Sequence, residues 1–175
     1  WIAASELKIG GDHNLANAQA ALAMGHALGL RREAMLGALR EFPGLAHRTT
    51  LVLEQAGVRW FDDSKGTNVG ATVAAVRGLP GPVVLIAGGE GKSQDFAPLR
   101  AALNGKARAV VLIGRDAPLI AAALGDSVPL HLTADMDQAV ARAAQLAQPG
   151  DSVLLSPACA SFDMFSGYEE RGAVF

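Results

Sequence analysis

The sequence predicts a three-layer α/β/α domain, a mostly parallel sheet with helices on both faces, preceded by two further helices. Three observations predict it. From about residue 82 onward, short β-branched runs alternate with alanine-rich stretches of helical period, which requires right-handed crossovers between parallel strands. The runs VVLIAG, AVVLIG and SVLLS are almost wholly apolar, as strands covered on both faces are. With 175 residues, 50% apolar and 18% charged, the chain has one domain's length and ample core material, which excludes intrinsic disorder.

The elements follow in order. NLANAQAALAMGHALG, residues 14–29, carries apolar residues on a helical period, and LRREAMLGALREF repeats the pattern after a glycine break. PGLAHR is a proline-glycine loop, so a boundary is expected within residues 43–48. TLVLEQ and VRWFDD alternate like strands around Ala56-Gly57 and read as a hairpin. The strands PVVLIAG, ARAVVLIG, SVPLHL and DSVLLS then interleave with the helices NVGATVAAVRG, DFAPLRAALN, DAPLIAAALG and DMDQAVARAAQLA. A last helix is expected to follow Ser161. The chain starts at Trp1 and stops in a helical pattern without a glycine or asparagine cap, so both ends are expected to be cut.

Composition narrows the function. Fifteen Lys+Arg against seventeen Asp+Glu give a formal charge of -2, which leaves no global field for nucleic acid or an anionic membrane. Any anionic ligand must be held locally. The single cysteine, Cys159, excludes a disulfide framework and cysteine-rich zinc sites and reads as a small buried residue. No apolar stretch approaches the roughly 20 residues of a membrane helix, and no export signal begins the chain. A soluble, cytoplasmic protein is expected. His13, His26, His47 and His131 show no metal-ligand spacing, and His26 reads as a satisfied core or edge histidine. No G-x-G-x-x-G follows a strand, which argues against NAD.

In parallel sheets ligands collect at the carboxyl ends of strands, so the loops DDSKGTN, GGEGKSQ, GRDA and SPACAS are the places to look. DDSKGTN puts two carboxylates, a cation and two hydroxyls at a helix N-terminus, which suits phosphate or carboxylate binding. Its bland alternative is capping by Thr67 or Asn68. GGEGKS is not a Walker A loop, because Ile86 stands where the first glycine belongs. What remains is Lys92, either a point charge for a ligand carboxylate or a solvated lysine. In SPACAS the hydroxyl of Ser161 either faces an anion or caps the following helix.

The series GDHNLANAQAALA, FPGLAHR, GVRWFDDSKGTNVGAT, VLIAGGEGKSQDFAPL, PGDSVLLSPACASFDMF and YEERGAVF resembles the Mur ligases over nearly the whole chain. DDSKGTN and LSPACASFDMF point to the glutamate-adding branch, since other branches usually carry an Asp-Tyr-Ala-His type sequence at the first of these. The resemblance implies that residues 44–175 form a Rossmann-like C-terminal, glutamate-binding domain. Residues 1–43 would then be the tail of the central, ATP-binding domain. The UDP-binding domain, phosphate loop, carbamylated lysine and magnesium ligands would lie upstream of Trp1. The expectation is half an active site and no ligase turnover by this chain alone.

The implied activity is that of an ADP-forming ligase of peptidoglycan synthesis. ATP, with Mg2+ in the complete enzyme, converts the carboxylate of UDP-N-acetylmuramoyl-L-alanine to an acyl phosphate. The amine of glutamate, D-glutamate in that branch, attacks it through a tetrahedral intermediate. The substrates are these small molecules, with no nucleic acid or membrane partner. By the same resemblance Asn17, with Asn14 one turn earlier, meets adenine, and an amide offers a base edge both donor and acceptor. Arg48 and Asp63 match contacts to the nucleotide's phosphate and ribose. Lys65 matches the catalytic lysine near the transferred phosphate, where its cation offsets developing charge. Thr67, Lys92 and Ser161, with the backbone N–H groups of Phe162 and Tyr168, match the glutamate site. Phe162 stands where the family often has leucine, Tyr168 where it has phenylalanine, and Gly66 where it has alanine, which is expected to make the loop more flexible. Two other readings stay open: a non-catalytic Rossmann-like domain for a small anion or partner, and a glutamate ligase like folylpolyglutamate synthase, which DDSKGTN and LSPACAS fit less well. The two enantiomers of glutamate carry the same charges, so residue types do not separate them.

Overall fold

The computed structural model describes residues 2–9 and 12–175, the side chains of Asp12 and His13 excepted. Trp1, Gly11 of the GDHN motif and the His13 side chain therefore lie outside the described residues. The chain divides into two compact units, Trp1–Leu45 and Ala46–Phe175.

The first unit contains α1 (Asp12–Ala27) and α2 (Arg32–Glu41). α1 is rich in the residues that lose least on becoming helical. It ends where Gly29, at φ +72°, turns the chain and the Leu30 N–H donates to the Gly25 carbonyl at 3.0 Å. The glycine break in the sequence is this turn. His26 is exposed on α1 and is not a core histidine. Upstream, Arg40 Nε donates to Glu6 Oε2 at 2.8 Å, joining α2 to a short turn at Ala4–Glu6.

The second unit is the three-layer domain. Its sheet has six strands in the order β1-β2-β6-β3-β4-β5: β1 (Thr50–Gln55), β2 (Val58–Asp62), β3 (Val83–Gly88), β4 (Ala107–Ile113), β5 (Leu130–Leu132) and β6 (Ser152–Leu155). Only the β1–β2 hairpin is antiparallel; β2, β6, β3, β4 and β5 run parallel. Its turn uses Ala56 and Gly57 at φ +52° and +75°, the sign that matches strand twist. Alternation in β3 assigns its two faces. Val83, Leu85 and Ala87 join the cluster covered by α3 (Val69–Gly78), α4 (Ala97–Leu103) and α5 (Ala117–Leu124). Val84 and Ile86 join the opposite cluster, covered by α6 (Met136–Leu146), Met164, Phe165 and Phe175.

The last helix differs from expectation. α7 is Tyr168–Val174 and does not follow Ser161 directly. The N–H groups of Met164 and Phe165 both donate to the Ser161 carbonyl, at 3.0 and 2.8 Å, making one isolated turn that sends both side chains into the second cluster. Gly167, extended at φ -173°, then opens α7, and Glu170 accepts from the Ser166 N–H and hydroxyl at 2.6 Å each. No helix among the described residues is long and apolar enough to cross a membrane.

Candidate functional site

β2, β3, β4 and β6 end along one edge of the sheet, and their loops meet there through main-chain hydrogen bonds. The Ala158 N–H donates to the Gly66 carbonyl at 2.8 Å, and the Gly88 N–H to the Pro157 carbonyl at 2.9 Å. Glu90 and Ala160 exchange N–H and carbonyl bonds at 2.9 Å each way. Close approach of backbone to backbone is why Gly88 and Gly89 stand here, at φ +122° and +124°. Cβ atoms on them would run into the Ile113 and Ala160 carbonyls.

The carboxylates of the DDSKGTN loop turn inward. Asp62 Oδ2 lies 2.6 Å from His47 Nδ1, and its Oδ1 accepts the Ser64 N–H at 2.9 Å. Asp63, 5% exposed, accepts the Thr49 N–H and hydroxyl on Oδ1 at 3.0 and 3.1 Å and the Ser156 hydroxyl on Oδ2 at 2.7 Å. Burial pushes its carboxyl above the ordinary aspartate value, against the pull of the Ser156 and Thr49 bonds. Both of its oxygens are thus engaged inside the protein rather than presented to a ribose. Gly66 is buried and tightly packed: a Cβ would stand 2.5 Å from Asp63 Oδ2 and 2.6 Å from Ser156 Oγ. It is a close-approach residue and not a source of flexibility. Asn68 caps α3 by accepting the Ala71 N–H at 2.9 Å, which leaves Thr67 out of the cap.

Lys65 is half-buried; its Nζ donates to the Tyr168 hydroxyl at 2.9 Å and stands 4.3 Å from that ring's centroid. Lys92 is exposed on a turn whose Lys92 and Ser93 have φ +52° and +59°. Its Nζ lies 6.0 Å from the Phe162 ring, which is 66% exposed. Ser161 is 3% exposed and caps no helix. Among the described residues, the Thr67 and Ser161 hydroxyls, the Lys92 ammonium and the Phe162 and Tyr168 N–H groups form no hydrogen bond or ion pair within the protein. The sheet edge therefore offers unpaired donors on loops that are bonded to one another. Such an arrangement suits an anion with more than one carboxylate.

Arg48 is exposed between His47 and Thr49, both left-handed at φ 58° and 49°. Asn14 and Asn17 stand one turn apart on α1 in the first unit, half-buried and exposed respectively. Among the described residues no three His, Cys, Asp or Glu side chains converge to hold a metal ion. Cys159 is buried, and burial pushes its thiol up to about 12; a thiolate nucleophile does not fit.

Sequence reasoning missed three residues. Arg171, 1% exposed, donates from Nε to the Ser64 hydroxyl at 3.0 Å, from Nη2 to the Ser64 carbonyl at 2.8 Å and from Nη1 to the Cys159 carbonyl at 3.1 Å. Burial brings its guanidinium down to about 10. Asp116 accepts the Gly91 N–H at 2.7 Å, and that bond holds its carboxyl below the ordinary range. Gln94 bonds to Val69, Gly91 and Ala158. Only Arg171 gave a signal, a lone cation at a helix position whose neighbours are acidic and small.

Residues 47–159 match the family described as Mur ligase, glutamate ligase domain. UDP-N-acetylmuramoylalanine--D-glutamate ligase of Pseudomonas aeruginosa is 60% identical over 174 residues, 97% of this chain and 39% of that protein. The protein of the same name from Nitrosococcus oceani is 57% identical over 176 residues, 99% of this chain and 39% of that one. The chain thus spans about two fifths of the length of the curated relatives it matches. Among solved structures, MurF from Acinetobacter baumannii has a TM-score of 0.65 at 23% identity, covering 85% of this chain and 35% of its own. Mycobacterium tuberculosis folylpolyglutamate synthase complexed with ADP has a TM-score of 0.74 at 15% identity, covering 96% and 41%. At such identities the likeness is one of fold.

Proposed function

The chain belongs to the Mur ligase family through its glutamate ligase domain, and from that premise we propose that it presents D-glutamate to an acyl phosphate in a larger ATP-dependent ligase. The observation that carries this reading is the set of unpartnered donors Thr67, Lys92 and Ser161 on strand-end loops bonded to one another. Glutamate brings two carboxylates and one amine. Lys92 takes one carboxylate as a point charge, while the Thr67 and Ser161 hydroxyls and the N–H groups of Phe162 and Tyr168 take up the remaining oxygens. With both carboxylates fixed, the neutral amine has one direction of attack.

The complete reaction joins that amine to UDP-N-acetylmuramoyl-L-alanine. The alanyl carboxylate takes the terminal phosphoryl group of ATP and releases ADP; the amine attacks the acyl carbon, and phosphate leaves as the amide forms. Lys65, held by Tyr168, supplies positive charge near the transferred phosphate. Arg48 reaches the nucleotide phosphates. Asp63 meets ribose only by giving up Thr49, so its role requires residues 46–49 to move, and their two left-handed residues support a hinge there. Residues 1–43 belong to the ATP-binding domain, where Asn14 and Asn17 face adenine, and residues 44–175 form the glutamate-binding domain. Magnesium neutralises phosphate charge in such a ligase, and its ligands come from outside this chain. The cytoplasm, where ATP and UDP-sugars are made, is the working compartment. The D-glutamate ligases at about 60% identity favour this reading over a folylpolyglutamate synthase or a non-catalytic binding domain.

The test is Lys92→Ala in the complete ligase, measuring ADP and amide formation. The expected result is a rise in the glutamate KM of roughly tenfold or more with the ATP KM nearly unchanged, as loss of a carboxylate partner requires. Equal effects on both substrates would remove Lys92 from the glutamate site.

A further inference from the structure

We infer that Gln94 is the positioning residue of the amino-acid site: its side-chain amide sets Lys92 and ties the loop that carries it to those carrying Thr67 and Ser161. The inference rests on the assignment of those three residues to glutamate. An amide has one acceptor group and two donors, and Gln94 uses both ends. Its Oε1 accepts the Val69 N–H at 3.0 Å, and its Nε2 donates to the Gly91 carbonyl at 2.9 Å and the Ala158 carbonyl at 3.0 Å. Val69 lies just beyond Thr67, Gly91 immediately precedes Lys92, and Ala158 opens the approach to Ser161. Among the described residues no other side chain hydrogen-bonds to all three loops.

The backbone supplies a second, independent observation. Lys92 and Ser93 are consecutive left-handed residues at φ +52° and +59°, neither of them glycine. They close a turn in which the Gln94 N–H donates to the Gly91 carbonyl at 3.1 Å. Side-chain-bearing residues hold that conformation only where the surroundings over-determine it. Here they do. The Gly91 carbonyl accepts from the backbone N–H and from Nε2 of Gln94, and the Gly91 N–H donates to Asp116 at 2.7 Å. Gly91 is thus held on both sides, its N–H by Asp116 and its carbonyl by Gln94, and this fixes the backbone from which Lys92 projects. Reversing the amide would set like against like at all three contacts, so its orientation is fixed by its partners.

Gln94 bonds to backbone and acts through its neighbours, which separates it from the residues that would touch glutamate. Gln94→Ala removes all three bonds. Gln94→Glu keeps the acceptor for Val69 and nearly the same volume but turns an oxygen toward the Gly91 and Ala158 carbonyls. In the complete ligase both variants are expected to raise the glutamate KM on the order of tenfold, with the ATP KM within about twofold. Added to Lys92→Ala, Gln94→Ala is expected to cost clearly less than it does alone, because the part of its effect that runs through Lys92 is already lost and only the ties to the Val69 and Ala158 loops remain to be broken. In the 175-residue chain, Gln94→Ala is expected to speed exchange of the Val69 amide by about tenfold or more while amides of β3 are unchanged. An unchanged glutamate KM in the Gln94 variants, where Lys92→Ala is impaired, overturns the inference alone. Equal rises in both KM values with a lowered melting midpoint in both variants would show a structural role and overturn it too. If Lys92→Ala leaves the glutamate KM unchanged, the site assignment fails and this inference falls with it, whatever the Val69 amide does.

Discussion

A buried cation with no carboxylate in contact is costly unless its nitrogens find acceptors, and each of the three side-chain nitrogens of Arg171 finds one, a hydroxyl for Nε and a carbonyl for each Nη. Those bonds join α7 to the loops carrying Lys65 and Ser161. Arg171→Met leaves the Ser64 and Cys159 carbonyls buried without donors, so a loss of about 2–4 kcal/mol is expected, read as a lower urea midpoint with an unchanged slope. A loss below about 1 kcal/mol would mean that water or neighbouring groups take over. The polar residues of the site were legible in the sequence to unequal degree. That Thr67, Lys92 and Ser161 stand on strand-end loops could be read because the strand-helix alternation could, although the burial of Ser161 at 3% exposure could not. Asp63 could not, because its inward turn depends on hydroxyls 14 and 93 residues away. Gln94 could not either, because backbone atoms are its partners and they have no residue type.

At the scale of elements, the alternation of strand and helix was readable throughout the second unit because each strand is a short apolar run and each helix an alanine-rich one. The exception was α7, whose start is set by the tertiary demand that Met164 and Phe165 enter the second core cluster. The strand ends show another demand that propensity does not report. Gly88 and Gly105 both have positive φ, +122° and +67°, yet their surroundings differ. A Cβ at Gly88 collides with the backbone of Ile113 on the adjacent strand β4, whereas nothing lies within 4 Å of one at Gly105. Gly105→Ala should therefore cost only the left-handed conformation, about 1 kcal/mol. Gly88→Ala must also part β3 from β4 and should cost at least about 3 kcal/mol. Thermal unfolding of the two variants measures the difference; similar losses would mean that the strand ends separate without penalty.

At the scale of the whole molecule, the core is unevenly shared. Both hydrophobic clusters lie within residues 58–175, whereas in the first unit Ala18 is the one described hydrophobic residue that is fully buried. Met24, Leu28 and Leu30 are 63%, 78% and 55% exposed, and α1 and α2 leave an apolar groove of about 410 Å³ lined by Leu22, Met35 and Phe42. Helices of 16 and 10 residues are marginal in water without a packed face. The first unit should therefore open well before the second unfolds. Native-state hydrogen exchange is expected to give the α1 and α2 amides opening free energies of no more than about 2–3 kcal/mol, while central amides of β3 and β4 reach the global value. Deleting residues 1–45 should then leave the thermal midpoint of the remaining 46–175 within about 3 °C of the parent chain, since no cluster is lost. Exchange of α1 amides only through global unfolding would reverse the argument, because it would require these helices to draw their stability from burial that the first unit does not itself provide.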